Sequence, residues 1–197
     1  VKEKPEHDYF LFTPNHNNTS GFEVPPSAKV VYPRRIIKMF EKWWRYIRMG
    51  RTLREHNIDL YHGLSNELPN DIRHSKARSV VTMHDIIFVR YPKLYKPWDR
   101  WLYTRKYRRS CNIADRIIAI SQQTKNDLVR FWNIDPQKID IVYQGCNPIF
   151  YQTISDEGKK LVRKKYNLPE RFILSVGTVE ERKNLMLVVK AMAKGGI

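Results

Sequence analysis

Long apolar runs are missing from this chain. Nowhere do hydrophobic residues approach the stretch of about 20 that a transmembrane helix needs. Cysteine is nearly absent: Cys111 and Cys146 are the two, and no pattern surrounds them. That excludes a disulfide framework and a zinc site and points to a reducing compartment. The six histidines have no Cys or His at ligand spacing, so no metal is expected. Glycine is scarce at 8 residues, and neither the three spaced glycines of a dinucleotide fingerprint nor the Gly-Lys-Ser/Thr of a Walker loop occurs. Acid is scarce too: 20 Asp and Glu face 36 Lys and Arg, for a formal net charge of +16. An imbalance of that size calls for an anionic partner, whether nucleic acid, a phosphorylated small molecule or an anionic lipid surface.

What is present suffices for folding. Hydrophobic residues make up 42% and aromatics 12%, enough to bury a core and too many for a disordered tail. The chain starts at Val1, which is not a natural start, runs almost at once into the apolar Tyr9-Phe10-Leu11-Phe12 and stops at Ile197 after a helical pattern, and no signal peptide is expected within it. It reads as a piece of a longer protein.

Short β-branched strands alternate with amphipathic helices. Strands are expected at Tyr9 to Thr13 and Ala28 to Tyr32, each closed by proline, with a loop at Asn15 to Ser27. Ile36, Phe40, Trp43, Trp44 and Ile47 then fall at helical spacing, with Lys38, Lys42, Arg45 and Arg48 on the other face. Ile58 to Tyr61 predicts a strand ending at His62-Gly63, and Ser79 to Met83 the next, ending at His84-Asp85. Two histidines are thus expected at one mouth, the carboxyl ends of neighbouring parallel strands, where ligands of an α/β sheet bind.

Tyr91 to Arg109 interleaves six aromatics with seven cations, and Pro97 opens a helix expected to bury Trp98, Trp101 and Leu102. Such interleaving is also how single strands of nucleic acid are held, and a basic nucleic-acid-binding α/β module is the competing reading. Against it, no helix-turn-helix, zinc-finger or RNP signature appears. Asp115 to Ile120 and Ile139 to Tyr143 are further strands, and Ser121 is an N-cap for the helix between them. The alternation implies an α/β fold with a doubly wound, mostly parallel sheet.

The pattern breaks at Gly145 to Pro148, so residues 1–152 are expected to form one domain and 153–197 the beginning of a second. That second part offers a charged helix over Asp156 to Tyr166, a strand over Phe172 to Val176, a turn at Gly177, and a helix from Leu185 to Ala193 preceded by Arg182 and Lys183. Free N–H groups, the helix dipole and two cations pointing one way would make a phosphate clamp.

Taken together, His62-Gly63-Leu64-Ser65-Asn66-Glu67-Leu68-Pro69, Thr82-Met83-His84-Asp85, Ala114 to Ser121 with Thr124 and Asp127, and Ser175-Val176-Gly177-Thr178 through Arg182-Lys183-Asn184-Leu185 resemble glycosyltransferase family 4, group 1 type. The resemblance implies the GT-B class: a Rossmann-like amino-terminal domain on the acceptor side, here without its first strand, and the start of a Rossmann-like domain that binds the nucleotide sugar. It implies a retaining, metal-independent transfer of a hexose, mannose first, from a nucleoside-diphosphate sugar to a lipid-linked or polysaccharide acceptor, with no cofactor. By the same likeness His84 contacts the transferred sugar and Asp85 orients its ring. Arg182, Lys183 and Gly177 take the donor diphosphate, while His62, Ser65, Asn66 and Glu67 line the acceptor side. The segment Gln144-Gly145-Cys146-Asn147 departs from the family's usual Asn-Gly-Val-Asp. The fragment alone is expected to be inactive. The whole protein is expected in the cytoplasm, peripheral on the inner membrane face, with the basic tryptophan helix against anionic lipid.

Overall fold

A computed structural model describes residues 3–13, 24–33 and 44–195. The loop expected at Asn15 to Ser27 and the amphipathic helix at Ile36 to Ile47 lie mostly outside those residues. Elements follow in the order β1 (Tyr9–Phe12), β2 (Ala28–Val31), α1 (Met49–Glu55, entered through a π-turn at Trp44–Arg48), β3 (Leu60–Gly63), β4 (Arg78–Met83), α2 (Ile87–Arg90), α3 (Pro97–Ile113), β5 (Arg116–Ala119), α4 (Gln122–Trp132), β6 (Ile139–Ile141), α5 (Asp156–Tyr166) and α6 (Leu185–Gly195). β1 and β2 pair in parallel as one small sheet, and β3-β4-β5-β6 form a second, parallel at every step. This is an α/β, Rossmann-like arrangement of parallel strands with flanking helices.

Along β4 the burial alternates with the pleat: Ser79, Val81 and Met83 are buried, Val80 and Thr82 half-buried. Val81, Met83, Ile117, Ala119 and Ile139 form the floor of one core with Met49 and Leu53 of α1, Cys111 of α3 and Leu128 of α4. Strands of a sheet in step order joined by right-handed crossovers put α3 and α4 on the same face. Phe10 and Phe12 set the small sheet against His56 at the end of α1, with ring centroids 5.7 and 6.2 Å apart.

The entrances of β4 and β5 are tied together by Asp115. Its carboxylate accepts the Ser79 amide at 2.8 Å, the Ser79 hydroxyl at 2.9 Å and an Arg78 guanidinium N–H at 3.0 Å. Partial burial works against its charge, but these donors win and hold the carboxyl below its ordinary value. Asp115→Ala leaves the buried Ser79 donors unmet and is expected to destabilise the protein by about 1–3 kcal/mol in urea melts. The wild-type contribution is present above the ordinary Asp value and fades as pH falls through the depressed one, so the gap between the two proteins should close in acid.

Two sequence expectations fail here. Trp98 and Trp101 are not on the buried side of α3. Their exposures are 69% and 51%, and the inward stripe is Tyr103, Tyr107, Ser110 and Cys111. That stripe wins because the serine has buried partners: Ser110 Oγ accepts the Leu68 amide at 2.9 Å and donates to the Lys106 carbonyl at 3.0 Å. Second, Phe172 to Val176 is not a strand. A strand exists only as part of a ladder, and no described segment pairs with this one; Val176 is 89% exposed.

Elsewhere in this region the reading holds. α5 occupies the expected residues, N-capped by Ser155, whose hydroxyl accepts the Gly158 amide, and stopped by Asn167 in the left-handed region. Among the described residues none beyond Ile139 is buried. Both cysteines are free thiols, and burial pushes Cys111 up to about 12. No described helix is long and apolar enough to cross a membrane.

Candidate functional site

The carboxyl end of β4 delivers His84, and three separate parts of the chain fix it. The loop after β3 carries Asn66 in the left-handed conformation, at φ 58°. From there its amide donates to the Thr82 carbonyl at 2.9 Å and its Oδ1 accepts the His84 amide at 2.8 Å. The same loop presents the Leu64 carbonyl to His84 Nε2 at 2.9 Å. From the first turn of α4, Thr124 Oγ1 donates to the His84 carbonyl at 2.9 Å. α4 is well placed to do so because Ser121 caps it, its hydroxyl accepting the Thr124 amide at 3.1 Å. A carbonyl can only accept, so Nε2 carries the ring proton and Nδ1 is the acceptor nitrogen of neutral His84.

The loop reaches β4 because β3 ends on a glycine. A Cβ at Gly63 would stand 2.4 Å from the Glu67 carbonyl oxygen and 3.0 Å from a Leu68 methyl.

Asp85 does not orient the His84 ring. Its carboxylate turns back to accept the Ile87 amide at 3.2 Å, the local turn that a short acid favours after a strand. It remains exposed, and Arg182 lies within electrostatic reach of both Asp85 and Tyr95. Burial raises the Tyr95 hydroxyl, and Arg182 opposes the shift. A part-buried pair ties α2 to α4, Arg90 Nη1 to Asp127 Oδ1 at 2.6 Å.

The cation loop is not the open clamp its sequence suggests. Glu180 accepts the Thr178 hydroxyl and the Arg182 Nε; the hydroxyl first and then the guanidinium lower Glu180, and the second bond raises Arg182. Lys183 is exposed with no described acid in ion-pair range. Gly177 stands at φ +146°, a backbone conformation for glycine, with open space where a Cβ would be. α6 begins at Leu185, just after Asn184 in the left-handed region.

His62 is exposed at the carboxyl end of β3. It is the penultimate residue of β3, in register with Val80, and its ring meets Thr82 Oγ1 at 2.7 Å. Partial desolvation lowers its pKa, so it is neutral near pH 7. Ser65 is exposed without a described hydrogen bond. Glu67 is drawn towards α3, with its carboxylate 3.4 Å from Lys106 Nζ. Of the four acceptor-side candidates Asn66 bonds His84 itself, and His62 meets Thr82 two residues before it. Among the described residues no group of three or more His, Cys, Asp or Glu could hold a metal ion.

Sequence reasoning gave Tyr95 no role at the site and took Leu64 and Thr124 only as parts of motifs. A backbone carbonyl carries no residue-specific signal, and Tyr95 sits in an aromatic-basic stretch that suggested other roles.

Known proteins share this architecture. The sequence model described as Glycosyltransferase Family 4 matches residues 3–149. An O-antigen chain mannosyltransferase B from Escherichia coli is 28% identical over 145 residues, covering 73% of this chain and 37% of that protein. An N-acetylgalactosamine-N,N'-diacetylbacillosaminyl-diphospho-undecaprenol 4-alpha-N-acetylgalactosaminyltransferase from Campylobacter jejuni is 32% identical over 81 residues, 41% of this chain and 20% of its own. The chain thus spans well under half of the curated relatives it matches. A crystal structure of a glycosyltransferase from Rickettsia africae ESF-5 superimposes with a TM-score of 0.50 at 12% identity, over 86% of this chain and 44% of that one, a likeness of fold. With a parallel α/β sheet, a histidine braced at the end of its second strand and a family match over most of its length, the chain belongs to Glycosyltransferase Family 4.

Proposed function

We propose that the chain is part of a GT-B transferase that moves a hexose, mannose first, from a nucleoside-diphosphate sugar to a lipid-linked or polysaccharide acceptor, with retention and without a metal or cofactor. Residues 1–152 are the acceptor-side lobe and 153–197 the start of the donor-side lobe. The division is supported by burial, which ends at Ile139 among the described residues. The observation that carries the reading is His84 braced at the carboxyl end of β4 by Leu64, Asn66 and Thr124, with Arg182 within reach of the neighbouring Asp85 charge. The sugar is supported by the Escherichia coli mannosyltransferase.

In this reading His84 offers Nδ1 to a hydroxyl of the transferred sugar, its Nε2 being spent on Leu64. Asp85 sits beside it as a second polar contact. Arg182 and Lys183 offset the charge that gathers on the departing diphosphate, and Gly177 gives the phosphates close backbone access. Asn66 lines the acceptor side, with His62, Ser65 and Glu67 further out. The 197 residues by themselves are inactive in this proposal, and the enzyme works in a reducing, cytoplasmic setting.

The test is transfer by the full-length protein from a panel of radiolabelled nucleoside-diphosphate hexoses to lipid extracts. Transfer is expected from the mannose donor and should survive exhaustive chelation. No transfer from any member of the panel overturns the reading, and transfer abolished by chelation overturns its metal independence.

A further inference from the structure

The outer face of α3 is built from residues that an interior helix does not carry. Pro97, Arg100-Trp101, Thr104-Arg105 and Arg108-Arg109 recur at helical spacing along one wall of a groove of about 900 Å³. No described carboxylate lies in ion-pair range of Arg100, Arg105, Arg108 or Arg109; Arg109 bonds the Asn70 carbonyl and the Arg105 guanidinium lies over the Trp101 ring. Across the whole helix five cations face one acid, Asp99. At its amino end, Trp98 and Trp101, three residues apart and so neighbours on the helix surface, stack with centroids 5.0 Å apart. Tyr91 at 52% and Leu94 at 41% exposure extend the apolar patch, with Lys93 and Lys96 between them.

We propose that this face of α3, with the Tyr91-Leu94 turn before it, docks on an anionic phospholipid bilayer, the indoles in the headgroup layer and the arginines against lipid phosphates. Cationic side chains flanking an amphipathic aromatic patch are what the interface of an anionic leaflet accepts, because indoles favour that zone and each cation near the surface adds attraction. Nucleic acid is the poorer occupant. Base stacking needs an open aromatic face, whereas Trp101 already carries the Trp98 ring and the Arg105 guanidinium. The inference is independent of the transferase reading. It assigns lipid contact to a surface other than the tryptophan-bearing segment at residues 36–47. Its geometric consequence is that the mouth lies beside the bilayer, since the Tyr91-Leu94 turn follows Asp85 through the one short helix α2.

Co-sedimentation with vesicles of phosphatidylcholine alone, and of phosphatidylcholine with phosphatidylglycerol in equal parts, tests it on the chain without donor or acceptor. Binding is expected only to the mixed vesicles, with a blue shift of tryptophan emission. Arg105→Gln with Arg108→Gln should weaken it by about thirtyfold, and Trp98→Ser with Trp101→Ser should abolish the blue shift. All four side chains are remote from the core, so the thermal midpoint reports that the variants still fold. Lys160→Gln with Lys164→Gln on α5 removes the same charge elsewhere and should change binding little. If the α5 pair matters as much as the arginines, or if neutral vesicles bind equally, the proposal is overturned. It is overturned too if the arginine and tryptophan variants lose binding to a single-stranded oligonucleotide while the parent chain ignores both vesicles.

Discussion

Arg182→Ala with Lys183→Ala, made in the full-length enzyme, is expected to lower kcat by at least about a thousandfold. One donor aimed at developing charge is worth about a hundred- to a thousandfold in kcat, and this change removes a fork and a point charge together. Their effects are not expected simply to add, because in the proposed reading both act on the same diphosphate. The measurement is initial rate against donor concentration, read separately as kcat and KM. A fall in kcat beyond the change in KM means the cations act on the leaving group in the transition state. Arg182→Lys should restore only part of the rate, since an ammonium cannot span two phosphate oxygens. Unchanged kinetics in the double variant would remove the clamp from the mechanism. The Glu180 partner bears on the size of the effect. Because it already holds Arg182 Nε, a diphosphate bound as proposed would have to compete for the guanidinium, and Glu180→Gln is expected to lower the donor KM.

The second large effect comes from a residue with no chemistry of its own. Gly63→Ala places a methyl group 2.4 Å from the Glu67 carbonyl oxygen, a backbone atom that can yield only if the whole loop moves. Forcing extra atoms into a close-packed site costs about 1–3 kcal/mol or more. The same displacement carries Leu64 and Asn66 away from His84, so both the ring bond and the amide bond are lost. Thermal unfolding and kcat should therefore fall together. Asn66→Ala is the informative comparison: it deletes the clamp without the clash, and it should cost more in activity than in stability. If Gly63→Ala lowers the melting temperature while leaving kcat intact, the Leu64–Asn66 loop does not position His84.

These two sites show where local sequence is sufficient and where it is not. β4 was legible because its β-branched run and its polar stop are both local, and α5 because Ser155 and Asn167 mark its ends within a turn. The belt around His84 was not. Its partners Leu64, Asn66 and Thr124 lie 18 to 40 residues away along the chain, and only the register of β3 on β4 brings the nearer two back. The expectation for Asp85 failed for the opposite reason: its nearest donor, the Ile87 amide, was closer than any ring. Hydrophobic spacing on α3 offered two stripes, one with Trp98 and Trp101 and one with Tyr103 and Tyr107. Periodicity alone cannot choose between faces; the choice fell to the stripe whose Ser110 could satisfy the buried Leu68 amide. At Phe172 to Val176 composition pointed to a strand, but a ladder needs a second backbone.

The order in which burial ends has a bearing on biosynthesis. The sheet closes at Ile141, and nothing described after Ile139 contributes to its core. A nascent chain emerging from the ribosome can therefore complete this lobe while the following residues are still being translated. Domains that fold in sequence from the amino terminus escape the mispairing that long chains risk.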